Sequence, residues 1–400
     1  IEITGITSDV APLPPVADMV EIEGTTLVLN RNNLPMMADG DEIALQVTLT
    51  VESGPATSEH TMVLIIVGET TETAGFVVTT HEDIVADDGF VSLREAVMYA
   101  NANEGTDTVT FSDAVKAEGL IRLTEGEILI TEAVTIAGDG RITISGDADG
   151  DDVVVGGVTD VAASLNKEKD DGSGDTALDD NSRLFSISAD GATTLTGLTL
   201  TGGRTEADDE HGGAVYASSG ALHIDGSTVS GNSTAGDYAE GGGVYGWHTV
   251  TVIDSTVSGN STAGYGADGG GVWCSNAVSL SVSTVTGNST AGNYADGGGV
   301  FGVTVKVTDS TVNGNSTAGD YAQGGGVRGA TVTVADSTVT GNSTAGDDAD
   351  GGGVFSWNTA TLDGAIILGN VAANGDHDEI GRDVQVDGAP SIVGEVSDAF

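Results

Sequence analysis

The sequence predicts an all-β chain dominated by a parallel β-solenoid, and three observations carry that reading. A Gly-Gly-(Gly/Ala)-Val phrase ends at Val215, Val244, Val272, Val300, Val327 and Val354, so successive units are 27 to 29 residues long. A Gly-Asn step answers it at Asn232, Asn260, Asn288, Asn315, Asn342 and Asn370, twelve residues before each following Val, so length changes fall in the other segment. Inside each unit apolar and polar residues alternate and are rich in Val and Thr, as in Thr249-Val250-Thr251-Val252-Ile253 and Thr256-Val257-Ser258. That is strand chemistry. The spacing predicts three short strands per unit. None can bury its apolar face alone, but coiling the units stacks Val on Val and closes a dry core. With 61 glycines and no 3.6-residue period, leucine-rich and helical repeats fit poorly.

Residues 1–74 lack the repeat, hold five of the six prolines and alternate around residues 19–29, 43–51 and 61–67. They predict a small β-sandwich-like domain with few strands, one that is incomplete or completed by another chain. The solenoid is expected from about Gly75 to residue 400. At about 27 residues per coil this gives about 12 coils, and strand spacing near 4.8 Å gives a rod of about 58 Å. Ser92 and Glu95 form a capping box that opens a helix over 92–101, a lid on the first coil's unpaired edge. Arg94 within it is expected to be a structural partner. Short β-branched runs at 128–131, 134–136, 142–144 and 195–200 continue the coils. Residues 147–182, rich in Asp, Gly and Ser, predict an acidic excursion loop.

The charge excludes several function classes. Twelve Lys plus Arg against 61 Asp plus Glu leave a net charge of −49, which repels phosphate, so nucleic acid and anionic membranes are excluded as partners. The longest apolar run, Met62 to Val67, is far short of a membrane-spanning helix. A surface this acidic favours seawater, brine or a calcium-rich exterior, where ions screen it. The single cysteine, Cys274, permits no intrachain disulfide and reads as a buried thiol. No basic, apolar leader opens the chain at Ile1, which suggests processing, excision from a longer chain or a different export route.

Val77-Val78-Thr79-Thr80, Asp87-Asp88-Gly89 and Ser92-Leu93-Arg94-Glu95-Ala96-Val97 resemble the Ser-Leu-Arg-Glu-Ala segment that opens the helices of large secreted bacterial surface proteins. These are similar to polymorphic outer-membrane proteins and adhesins, and the segment 365–380 looks like the closing coil of such helices. The resemblance covers about residues 76–385. It implies a single-stranded, right-handed parallel β-helix of the pectate-lyase shape, exported and mostly non-enzymatic. Residues 1–74 resemble the last strands of a cadherin-like or immunoglobulin-like module.

Stacking turns repeat positions into columns. One column reads His211, Glu240, Asp268, Asp296, Gln323, Asp350, and another, three residues earlier, reads Asp208, Asp237, Tyr265, Asn293, Asp320, Asp347. Carboxylates about 5 Å apart at an effective dielectric near 20 would repel by about 3 kcal/mol per pair. The expectation is Ca²⁺ bound there by hard oxygen ligands, against the alternative of a solvated acidic edge. Asp147, Asp149 and Asp151 alternate as in a calcium loop, although Asp152 and Val158 stand where such a loop has Gly and a bidentate Glu.

After each inward Val an outward residue follows: Tyr216, Tyr245, Trp273, Phe301, Arg328, Phe355, with Trp247 and Trp357 two further on. With loop residues Tyr238, Tyr265, Tyr294 and Tyr321 they predict an aromatic face, either a docking surface for a glycan or a neighbouring protomer, or a stripe buried under the loops. The Asn-Ser-Thr steps are formal glycosylation acceptors, but fit an amide ladder at a turn better. The overall expectation is a non-enzymatic extracellular or cell-surface structural or adhesive protein, a filament or matrix component stabilised by calcium. Its expected partners are copies of itself or tandem surface-protein neighbours, with a glycan as a further ligand. The alternative is a polysaccharide lyase or hydrolase using Arg204, Asp208, Asp209 and His211.

Overall fold

The computed structural model describes residues 75–148, 181–373, 379–381 and 389–394. It also describes, as backbone strands, Glu2–Ser8, Val20–Glu23, Thr26–Leu29, Glu42–Ser53, Ala56–Val67, Val154–Val155, Val158–Thr159 and Val384–Val386. Contacts divide the chain into Ile1–Thr73 with Ala86–Phe90, and Ala74–Val85 with Val91–Phe400. In the first unit Glu42–Ser53 pairs antiparallel with both Glu2–Ser8 and Ala56–Val67, and Val20–Glu23 forms a hairpin with Thr26–Leu29. The strand Glu2–Ser8 was not expected, because Gly5 and the bulge beside it interrupt its alternation.

The second unit is the parallel β-solenoid, of about nine turns. Twelve were expected; dividing the whole span by the repeat length counted the opening segment and the 147–182 insertion as coils. Nine turns at about 4.8 Å span about 43 Å. The repeat region carries four strand columns where alternation predicts three, the first two being continuous in later coils such as Val272–Ser281. In one coil they are Val244–Gly246, Thr249–Ile253, Thr256–Ser258 and Ser261–Thr262. The fourth strand has two residues, too few for a period to announce. Strands of the first three columns join a single 24-stranded sheet, and the fourth column forms a seven-stranded one.

Register is fixed by the inward valines: Val244 pairs with Val272, Val250 with Val278 and Val257 with Val285. Val244, Val250, Val252 and Val257 are fully buried, each worth roughly 1.5–3 kcal/mol against exposure. Cys274 lies in the same core as a free thiol. Length differences between coils are absorbed where the sequence places them. The register slips between Cys274 and Ala277 and between Gly329 and Thr331, at the corner joining the first two strand columns.

Two polar ladders run inside this apolar stack. Asn260 is fully buried; its Nδ2 donates to the Val229 carbonyl at 3.0 Å and to Asn288 Oδ1 at 2.9 Å. The same bonds link Asn232 through Asn370, so the Asn-Ser-Thr steps are amide rungs and their nitrogens are committed. Glu379 closes the ladder, accepting from Asn370 Nδ2 at 2.6 Å and from the Gly369 N–H at 2.8 Å. Ser227, Ser255, Ser283, Ser310 and Ser337 form the second ladder, each hydroxyl accepting the preceding serine's N–H except at the first rung. The triple glycines make room for the amides: a Cβ on Gly271 would lie 2.6 Å from the Gly299 carbonyl and 3.0 Å from Asn288 Cγ.

At the start of the solenoid, α1 (Leu93–Asn101) has both halves of the capping box, Ser92 Oγ accepting from the Glu95 N–H and Glu95 from the Ser92 N–H. Its buried face, Leu93, Ala96, Val97 and Ala100, packs against Asp107–Phe111 and Ile128–Ile130. Arg94 is the structural partner expected, clamping buried Asp83 at 2.7 and 2.8 Å and donating to the Gly126 and Glu127 carbonyls. A second helix, α2 (Asp113–Glu118), was missed. Only Ser112 before it and Gly119 after it, at φ 74°, signal its ends.

Candidate functional site

The outward column after the inward valines is in register from Tyr216 to Phe355. Its rings stack on one another: Tyr216 on Tyr245 at 5.1 Å, Tyr245 on Trp273 at 4.5 Å and 6°, Trp273 on Phe301 at 5.9 Å and 7°. His211 lies over Tyr245 at 4.3 Å. Guanidinium groups complete the stack, Arg183 at 5.2 Å from Tyr216, and Arg328 between Phe301 at 4.3 Å and Trp357 at 3.6 Å.

The open docking face is therefore corrected for most of its residues. Tyr245 and Phe355 are buried and Tyr216, Trp273 and Phe301 half-buried. The loop that carries the acidic column folds over them, which is the second of the two outcomes expected. Trp247 and Trp357 remain 53% and 48% exposed at the variable-length corner. The loop tyrosines form the more exposed ladder, Tyr238, Tyr265, Tyr294 and Tyr321, with centroids 4.9 to 5.6 Å apart. Only Tyr294 and Tyr321 meet face to face, at 10°; Tyr238 meets Tyr265 edge-on at 76° and Tyr265 meets Tyr294 at 54°.

The acidic columns are likewise built into the loop. In the outer column Asp208 accepts the Asp237 N–H at 2.9 Å, Asp237 the Tyr265 N–H at 2.8 Å, and Asp320 the Asp347 N–H at 2.9 Å. In the inner column His211 Nδ1 lies 2.6 Å from Glu240, Asp268 accepts the Asp296 N–H and Asp296 the Gln323 N–H, each at 2.7 Å. Asp350 forms a parallel bridge with Gln323. Asp208, Asp237, Asp268, Asp296 and Asp320 thus each accept a backbone N–H of the next coil, a role the sequence periodicity does not reveal. Among the described residues no three His, Cys, Asp or Glu side chains converge as a metal site would need. Asp147 is buried and pairs with Arg122 at 3.2 Å, while Asp149 and Asp151 lie outside the described residues.

Electrostatic strain concentrates at Asp268, Asp296 and Arg328. Burial first, and then the Asp296 charge, raises the Asp268 carboxyl well above the usual carboxylate range. Burial pushes Asp296 up to about 6, opposed by Arg328, whose Nη2 lies 2.9 Å from Asp296 Oδ2. Burial also lowers Arg328 and, with the Glu240 charge, raises the Tyr245 phenol. The arrangement is an ion pair sealed between aromatic planes, and sequence reasoning missed it because its members are 32 residues apart.

Three members of the alternative catalytic group, Arg204, Asp208 and His211, have other partners. Arg204 pairs with Glu206 and Ser233, Asp208 caps Asp237, Asp209 sits at φ 59°, and His211 is held by Glu240 and the Tyr245 ring. One cavity near α1, of about 360 Å³, is lined by His81, Asp83, Ile84, Leu120, Arg122 and Thr124. Asp83 is already taken by Arg94, and His81 by Glu118 at 2.9 Å.

Comparison with protein families matches residues 184–372 to the right-handed beta helix region. No curated protein and no solved structure matches the chain. With the parallel topology, the match gives the solenoid the right-handed β-helix fold.

Proposed function

We propose that this β-helix protein is a non-enzymatic extracellular element, a stiff spacer in a cell-surface fibre or matrix that joins copies of itself or tandem surface-protein neighbours. The observation that supports it is how the outward side chains are spent. Carboxylates bond the neighbouring coil, rings stack on rings, and the basic groups near them are paired. Such a surface transmits load and resists bending; general acid–base chemistry needs groups left free to move a proton. Divalent cations, Ca²⁺ first, act in this reading on the acidic loop edge as counter-ions.

The specific observation that keeps the glycan-degrading reading is the His211–Glu240 contact beside Arg183. Incubating the chain with neutral and uronate polysaccharides and counting new chain ends decides between the two. The proposal expects none. Chain ends that vanish in both Asp208→Ala and His211→Ala would replace it with the enzyme. Fractionating the source cells should recover the chain at the surface or in the medium; recovery inside the cell overturns the extracellular reading.

A further inference from the structure

We propose that the third strand column is an ice-binding face, a rigid two-rank array of hydroxyls that adsorbs to crystalline water. Thr199, Thr228, Thr256, Thr284, Thr311 and Thr338 are register partners in six consecutive coils. Two residues on, Thr201, Ser230, Ser258, Thr286, Asn313 and Thr340 form a second rank in the same pairings. None of these pairings slips. The valines between the ranks, Val229 to Val339, are fully buried, so alternation turns both ranks outward.

Two further features point to the ligand. On a chain of net charge −49, residues 227–236, 255–264, 283–292, 310–319 and 337–346 carry no charged side chain, although Arg204 and Glu206 lie in the coil of Thr199 and exposed Asp225, Asp254, Asp309 and Asp336 border the first rank; the strip between them selects an uncharged partner. Among the described residues the threonine hydroxyls of the first rank have no hydrogen-bond partner within the protein; in the second, Thr340 donates to the Leu368 carbonyl. Parallel strands set neighbouring hydroxyls about 4.8 Å apart along a rank, with the ranks about 6.7 Å apart. A water bonded to two hydroxyls at 2.7–2.8 Å and a tetrahedral angle spans about 4.5 Å. One water therefore fits between successive hydroxyls, and rank and waters together repeat at nearly the second-neighbour spacing of a tetrahedral water lattice.

The dimensions separate this occupant from others. Six coils by three residues give a face of about 300 Å², well below the roughly 800 Å² per partner of a stable dimer. A single polymer chain lies along one rank, whereas a crystal face meets both. Adsorption also costs the first rank little order, because its six side chains are all β-branched threonines with a restricted χ1.

Ice recrystallisation and thermal hysteresis of the whole chain test this. The wild-type chain should arrest crystal growth, and Thr256→Lys with Thr284→Lys should weaken that effect several-fold. Thr251→Lys with Thr333→Lys, on the neighbouring column, should leave it intact. Thr256→Val with Thr284→Val, which keeps volume and packing, serves should the lysine pair fail to fold by circular dichroism. An inactive wild-type chain, or equal loss in the two lysine pairs, overturns the proposal. So does retention on crystalline cellulose or chitin that only the rank variants abolish, which would make the face a neutral-glycan site.

Discussion

Asn288 shows how much one side chain does in a ladder. Replacing it with Ala removes its bonds to the Val257 carbonyl and Asn315, and takes the acceptor from both the backbone and the side chain of Asn260. Two buried donors left unmade cost about 1–3 kcal/mol each. Denaturant unfolding of Asn288→Ala should therefore show a loss of about 3 kcal/mol or more, and a loss near zero would contradict the ladder. Asp268 behaves in the opposite sense. Its carboxyl and that of Asp296 are raised above the unfolded value near 3.9. The folded chain thus binds protons more tightly, so their contribution is fully present below about pH 4 and is lost as pH rises, for Asp296 through about 6. Asp268→Asn keeps the acceptor for the Asp296 N–H while removing a buried charge. It should raise the melting midpoint at pH 8 and flatten its fall between pH 4 and 7.

Among the elements, α1 was legible to the residue because a capping box is local chemistry: Ser92 and Glu95 stand three apart and the apolar face follows. Ser92→Ala removes the cap and the hydroxyl's bond to the Ile84 carbonyl at 2.7 Å. A loss of about 1 kcal/mol is expected in chemical denaturation, with faster amide exchange confined to 92–101. The strand columns were legible for a related reason, since a repeat displays its own register. The acid and aromatic columns were located, but not the bonds their side chains make. Sequence gives each residue's position along the coil, but not that the loop bearing Asp296 closes over Arg328 one coil beyond it. That closure depends on three-dimensional stacking, as does the fourth strand column.

For the molecule as a whole the governing quantity is a charge of −49. Hydrogen bonds to backbone place the described acids but leave their mutual long-range repulsion. The screening length falls from about 10 Å at 0.1 M salt to about 3 Å at 1 M. The melting midpoint should rise across that range in NaCl alone. EDTA at fixed ionic strength then separates the two roles of calcium: a lower midpoint indicates ions bound to the native state, and an unchanged one indicates screening only.

The amide ladder also gives the rod a sense of direction. From Asn232 onward every Nδ2 donates toward the next coil and every Oδ1 looks back, and Glu379 meets the last donor with an acceptor. Both ends of this string are closed within the solenoid: the Gly203 N–H donates to Asn232 Oδ1 at 2.8 Å, and Glu379 takes the last donor at 2.6 Å. The aligned amide dipoles are therefore spent inside one molecule, and any end-on assembly has to be held by other groups.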